Sequence, residues 1–460
     1  MAAEPLRPGY HFTTPSGWIN DPLGVTWHAA ADGAGPGEER GRYELFYQFN
    51  PEAPVWAVAC RWGQATSADL VRWHEPRTAL EPGPEETGCW SGSVVVDGAV
   101  PVIVYTSVLA EAPGQGRIAL ARGDAGWRRW TPDPAGPVIG APAPELGLAH
   151  LRDPFVWRHG DRWHMAVGAG STDGRPSVLQ YSSTDLRTWW PDGVLAEPEP
   201  GRPGPGGSVW ECPQLFPLGD AWCLVVSVWD EDPSHVACAV GDYDGRRFTA
   251  RSWQELAAFP CYATTVFADA KGRRSAFSWL RETGDADGGW AGALSVPWLL
   301  DLDGDRVTVG PHPDVDTLRT GNVVRRGPEP LTAEPTVLGV PARADVGLRA
   351  DPAGAPLELT LDDDGGRLLT VVADPATGEV RLTVPDGPAS RVPLRLEDDG
   401  SLTLRLLLDA GVVEAFPGGG AVAAARLPAS DGELRLGLSG AGDGARLREL
   451  VLHGMSRVIG

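Results

Sequence analysis

Three short acidic motifs are the residues of this chain best suited to chemistry: Asn20-Asp21-Pro22, Arg152-Asp153-Pro154 and Glu211-Cys212-Pro213. None of these motifs sets a Ser or Cys beside a His to be activated as a nucleophile, so the carboxylates themselves must carry any reaction. Paired carboxylates cleave glycosidic bonds. One attacks, or activates water at, the anomeric carbon, while the other is kept protonated and gives its proton to the departing oxygen. Such a division requires unlike surroundings, in which burial and like-charge repulsion raise the pKa of one partner only. A third carboxylate can hold substrate hydroxyls. A single Asp-Pro pair is more often a turn than a catalyst, but three at like positions in a repeating chain point to a glycosidase centre.

The repeat is what would position them. The segments Thr66 to Trp73 and Ser182 to Trp189 share a polar turn, an Asp-Leu pair and a closing Trp. With Gly123 to Trp130, Gly241 to Phe248 and Leu302 to Val307, the closing residues recur about every 58 residues. A fixed period of this size, built from short strands and Gly/Asp turns, indicates radial blades or a solenoid, and five units suit a closed ring. After each closing residue comes an apolar strand, among them Trp90 to Val96, Asp153 to Trp157, Glu211 to Phe216 and Tyr262 to Phe267. The innermost strand of a propeller blade lines the central channel, so the three acids should meet in one pocket.

A second domain follows. Residues 325–335 are Pro-rich without a strand pattern, whereas Leu357 to Leu361, Glu379 to Val384, Leu402 to Leu406 and Glu433 to Leu438 alternate apolar and polar residues, the period of half-buried strands. The expected organisation is all-β: a five-bladed propeller over 1–322, a linker over 323–338 and a β-sandwich over 339–460. The acidic turns Asp362 to Gly366 and Glu397 to Gly400 lack the spacing of a calcium loop and read as hairpin turns.

Composition fits a folded enzyme: 42% hydrophobic residues in 460, with 59 Gly and 43 Pro for an all-β chain full of turns. A formal net charge of −22 argues against nucleic-acid or anionic-membrane partners, which require a basic face. No apolar run is long enough to span a bilayer, and Met1 to Pro8 lacks the pattern of a secretory signal, so a cytoplasmic location is expected. The six cysteines show no CxxC pair and no companion His, which leaves no metal site and no cofactor to expect. Nothing in the sequence reports the oligomeric state.

Arg7 to Phe12 leading into Gly17-Trp-Ile-Asn-Asp-Pro-Leu-Gly24 resembles the opening signature of glycoside hydrolase family 32, the invertase, inulinase and levanase group. Tyr47 to Pro51, Trp62 to Ser67, Trp90 to Ser93, Arg152 to Pro154, Trp210 to Pro213 and Gly289 to Ser295 follow in the family's order, and Asp409 to Phe416 resembles a strand pair of its accessory sandwich. The resemblance implies a five-bladed propeller joined to a β-sandwich, and retaining attack on a terminal β-D-fructofuranosyl unit of sucrose or a short fructo-oligosaccharide. It implies Asp21 as nucleophile, Glu211 as acid and then base, and Asp153 as transition-state stabiliser. Matched positions further suggest Asn20, Gln48, Ser91 and Arg152 as hydroxyl partners, with Trp56, Trp90 and Trp279 as pocket walls. The remaining tryptophans, Trp73, Trp130 and Trp189 among them, read as core anchors.

His11 reads as a structural, hydrogen-bonded residue, and Cys212 should point away from Glu211's side along an extended strand. The chain departs from the family pattern at Leu23, Gln64, Gln214 and Trp298, which replace the usual Asn, His, Asp and Arg. Two other functions share much of this pattern: fructosyl transfer to a sugar acceptor through the same intermediate, and carbohydrate binding without turnover.

Overall fold

The computed structural model describes residues 7–29, 41–285, 287–430 and 432–458. Residues 1–6, on which most of the leader expectation rests, lie outside these. The first two thirds of the chain form a five-bladed propeller. Its innermost strands are Gly17–His28, Gly88–Asp97, Leu148–His159, Val209–Leu218 and Cys261–Ala268. Each touches the next around the axis, and the fifth touches the first.

The Asp-Leu turns of blades one and three show how the period arises. Asp69 Oδ1 accepts from the amides of Val71 (3.2 Å) and Arg72 (2.9 Å), and Asp185 Oδ1 from those of Arg187 (2.9 Å) and Thr188 (2.7 Å). The following Leu70 and Leu186 take left-handed φ of 64° and 62° and are fully buried. Each turn therefore plugs the blade and restarts the chain in its outer strand, Trp73–Leu80 or Trp190–Ala196. The repeated residues mark the start of the outermost strand of each blade.

Closure joins the last blade to the first. Strand Trp290–Leu294 runs parallel to Gly17–His28, pairing Gly17 with Trp290 and Trp18 with Ala291. Gly292, at φ 87°, lies so close to the Ile19 carbonyl that any Cβ there would collide with it.

Two sheets make the C-terminal sandwich. One orders Arg319–Arg326, Arg446–Met455, Arg343–Asp351, Leu402–Asp409, Val412–Pro417 and Ala423–Arg426; the other orders Thr336–Val340, Leu434–Gly440, Leu357–Asp363, Gly366–Asp374, Glu379–Thr383 and Ser390–Pro393. Alternation along Leu402–Asp409 decides what each side chain covers. Leu404, Leu406 and Leu408 fill the sandwich core, while Leu407 packs with Val412, Phe416 and Val422 against propeller residues such as Val225 and Trp298.

The linker expected over 323–338 is not one. Arg319–Arg326 and Glu329–Pro330 pair with Arg446–Met455, and Thr336–Val340 pairs with Leu434–Gly440. Pro-rich sequence hid these strands because they sit on sheet edges, where a missing N–H costs no ladder bond.

The domains are tied by a buried polar cluster. The amides of Gly9, Tyr10 and His11 donate to the Asp409 carboxylate at 2.6, 2.7 and 2.9 Å. His11 also bridges Asp409 Oδ2 (2.9 Å) and Glu414 Oε2 (3.0 Å), and Glu414 accepts from Val296 N and Trp298 Nε1. Although burial opposes its charge, these two carboxylates raise His11 to about 9. Trp298, a departure from the family pattern, thus acts as an indole donor to a buried carboxylate. Glu414→Ala strands these donors beside a charged imidazole, and the expected loss is about 3–5 kcal/mol of unfolding free energy. Denaturant titration checks this; a loss under about 1 kcal/mol would contradict it.

Candidate active site

The innermost strands cannot stay regular near the axis, and every one carries a register break at its channel end. The breaks fall between Ile19 and Pro22, Trp90 and Gly92, Arg152 and Phe155, Glu211 and Gln214, and Tyr262 and Thr265. Bulges of this kind re-aim side chains and leave backbone groups off the ladder. The prolines following Asp153 and Cys212 sit within them, where no ladder N–H is needed.

In blades three to five the same two positions supply the site. Arg152, Glu211 and Tyr262 are the last laddered residues before the break, and Asp153, Cys212 and Ala263 follow them with φ of 63°, 46° and 50°. Glu211 is therefore the counterpart of Arg152, and Cys212 that of Asp153. The first of these pairs corrects the placing of the three acids at one like position. The second corrects the orientation expected of Cys212, because a positive φ breaks the two-residue alternation of a strand. Its thiol lies 3.5 Å from Asp21 Oδ2 and 3.7 Å from Asp153 Oδ2, so those oxygens are separated by no more than the sum of these distances.

Around that thiol the site assembles from four further sources. Ser91 Oγ donates to Asp21 Oδ2 at 2.5 Å and Asn20 Nδ2 to Asp21 Oδ1 at 3.1 Å. Gln48 links them, giving a bond to Ser91 Oγ (2.7 Å) and taking one from Asn20 (3.1 Å). Arg152 Nε donates to Glu211 Oε1 at 2.7 Å, Tyr262 OH to Glu211 Oε2 at 2.5 Å, and the Cys212 amide to Asp153 Oδ2 at 3.0 Å. Arg152 also reaches His150 Nδ1 at 2.9 Å.

Burial sets the electrostatics. It pushes Asp21 up to about 6, with the charge of Glu211 adding to it and the Ser91 hydrogen bond opposing it. Burial and then the charge of Glu211 push Asp153 up to about 7, against Arg152. Burial and the neighbouring carboxylates hold the Cys212 thiol and the Tyr262 phenol well above their usual values, so both remain protonated donors. Glu211 keeps 15% of its side chain exposed, an opening through which a leaving group or water can reach it.

The aromatic positions divide. Trp56 is 49% exposed and meets the half-buried Trp90 edge-on at 5.9 Å, a hydrophobic rim beside Ser91. Trp279, expected as a wall, is 8% exposed and packed edge-on by Trp18 at 5.6 Å, in one cluster with Cys212 and Tyr262. It supports the site and offers little face to a sugar. Tyr262 is the site residue that sequence reasoning missed; its place at the start of the fifth inner strand was its only signal. The remaining departures are absorbed by packing and hydrogen bonds: Leu23 is buried beside Phe46 and Trp62, Gln64 donates to Glu44 and Trp127, and Gln214 accepts from the Val266 amide.

Buried carboxylates delivered from separate blades to one axis are a centre suited to glycosidic bonds. The chain belongs to the glycosyl hydrolases family 32, whose N-terminal domain model matches residues 11–311. It is 31% identical over 403 residues to the sucrose-6-phosphate hydrolase of Klebsiella pneumoniae, covering 80% of this chain and 79% of that protein. Against the beta-fructofuranosidase, insoluble isoenzyme 4, of Oryza sativa subsp. japonica it is 32% identical over 368 residues, 72% of this chain and 59% of the relative, so it spans under two thirds of that protein's length. Among solved structures, the Bombyx mori GH32 beta-fructofuranosidase superposes with a TM-score of 0.82 at 28% identity, covering 100% of this chain and 96% of that one. A variant of the same enzyme in complex with sucrose gives 0.82 at 27% identity, with the same coverage.

Proposed function

We propose that this protein is a retaining glycoside hydrolase that releases terminal β-D-fructofuranosyl units from sucrose or short fructo-oligosaccharides. The observation that carries the reading is the unlike setting of Asp21 and Glu211. Both carboxylates accept donors on both oxygens, Asp21 from Ser91 and Asn20 and Glu211 from Arg152 and Tyr262. They differ in access: Asp21 is buried, whereas Glu211 keeps 15% of its side chain exposed to a leaving group or water. Asp21 attacks fructose C2 as Glu211 protonates the departing oxygen, and the covalent fructosyl ester forms. Glu211 then takes a proton from water, which releases fructose and restores Asp21. Asp153 gives one oxygen to the Cys212 amide and the other to ring hydroxyls, whose hydrogen bonds strengthen as charge develops on the sugar. Small fructosides recur in the names of the relatives, which supports the substrate class.

Incubation with sucrose and 1-kestose tests the reading: free fructose, first appearing as the β-anomer by NMR, is the expected product. Sugars longer than the substrate at high sucrose would instead show transfer, and binding without any release would refute the hydrolase. Ser91→Ala removes the hydrogen bond that favours ionised Asp21, so the pKa of Asp21 rises above about 6. The acid limb of kcat/KM should move to higher pH in that variant, and an unmoved limb would deny Asp21 its role.

A further inference from the structure

Bulges leave orphaned backbone groups, and buried orphans need partners. Two of them, in different blades, share one. Thr106, fully buried on the second strand of blade two, pairs with Trp90 at the edge of that blade's bulge. Its hydroxyl donates to the carbonyl of Ser91 at 2.9 Å and accepts from the amide of Asp153 at 2.8 Å. Ser91 is the residue that holds Asp21, and Asp153 is the residue held at φ 63°. One hydroxyl therefore joins the backbone that aims the donor on Asp21 to the backbone that aims Asp153. Blade five places Ser278 in a similar way, its hydroxyl donating at 2.9 Å to the carbonyl of Tyr262, which holds Glu211.

We propose that Thr106 is a positioning residue for the reaction: its hydroxyl sets the register between blades two and three and with it the distance from Asp21 to Asp153. The proposal rests on the fructoside-hydrolase reading above. Thr106 touches no substrate, so its effect falls on the geometry of the transition state. A 1 Å misplacement at a reacting centre costs about 10²-fold in rate.

The test compares Thr106→Val, which keeps the shape and removes the hydroxyl, with Thr106→Ser, which keeps the hydroxyl. Steady-state kinetics on sucrose is measured together with thermal unfolding. In Thr106→Val, kcat should fall about 10²-fold with KM within about 3-fold of wild type, and Thr106→Ser should recover most of kcat. If Thr106→Val unfolds earlier but its folded fraction keeps the wild-type kcat, the hydroxyl is a structural bond only and the proposal fails. It fails equally if Thr106→Ser is as impaired as Thr106→Val. An inactive wild type would overturn the proposed function, and this role with it; an active wild type with a normal Thr106→Val overturns the positioning role alone.

Discussion

Asp21→Ala should lower fructose release from sucrose by on the order of 10⁴-fold or more, since in the proposed reaction Asp21 forms the covalent bond. Glu211→Ala should lose about 10²–10⁴-fold on sucrose, the usual worth of general acid-base catalysis. The two variants separate on an aryl fructoside whose leaving group needs no proton. Glu211→Ala still forms the fructosyl ester at Asp21 but releases it slowly, so a burst of phenolate precedes a slow steady state. Azide, a nucleophile that needs no base, should restore its turnover and yield a fructosyl azide of retained configuration. Asp21→Ala should show neither burst nor rescue. If Asp21→Ala kept the burst, the ester would have to form elsewhere, and the assignment of the nucleophile would be lost.

Asp153→Asn should act in opposite directions on rate and stability. An amide oxygen can still accept from the Cys212 amide, but the variant cannot balance charge on the sugar, and the expected loss is about 10²–10³-fold in kcat. Stability follows from linkage. Burial and Glu211 raise Asp153 from the usual 3.8 to about 7 in the folded protein, so the fold binds that proton more tightly than the unfolded chain does. The contribution of Asp153 to wild-type stability therefore falls as pH rises from about 4 to about 7, where the unfolded carboxyl has ionised and the folded one is being forced to. The uncharged amide of the variant carries no such burden. Calorimetry should show a higher Tm for Asp153→Asn than for wild type at pH 8 and near-equal values at pH 4. A lower Tm at both pH values would mean that the carboxylate is a net support of the fold.

Much of this architecture is legible in the residues, for physical reasons. The turns recur because each blade must stop and begin an outer strand, which blades one and three do with an Asp-Leu pair whose leucine is buried, and that local requirement leaves a local signature. The acids are legible because they sit in short motifs. What stays hidden depends on contacts between distant segments or on departures from regular backbone. Cys212 looks outward-facing under strand alternation and faces the axis only because its φ is 46°. Tyr262 and Thr106 carry no motif of their own, since each acts through a partner on another blade. The strands inside the Pro-rich stretch pair with residues near the far end of the chain, which no local pattern reports.

The clasp of residues 9–11 on Asp409 has a consequence for handling the protein. Those residues lead directly into Gly17–His28, the strand that carries Asp21, and their three amides end on a carboxylate contributed by the C-terminal domain. A truncation that kept the family-matched segment and discarded the remainder would strip the anchor from the lead-in to the strand that carries Asp21. Engineered chimaeras should therefore inherit both halves from one parent, or exchange the two ends of this clasp together.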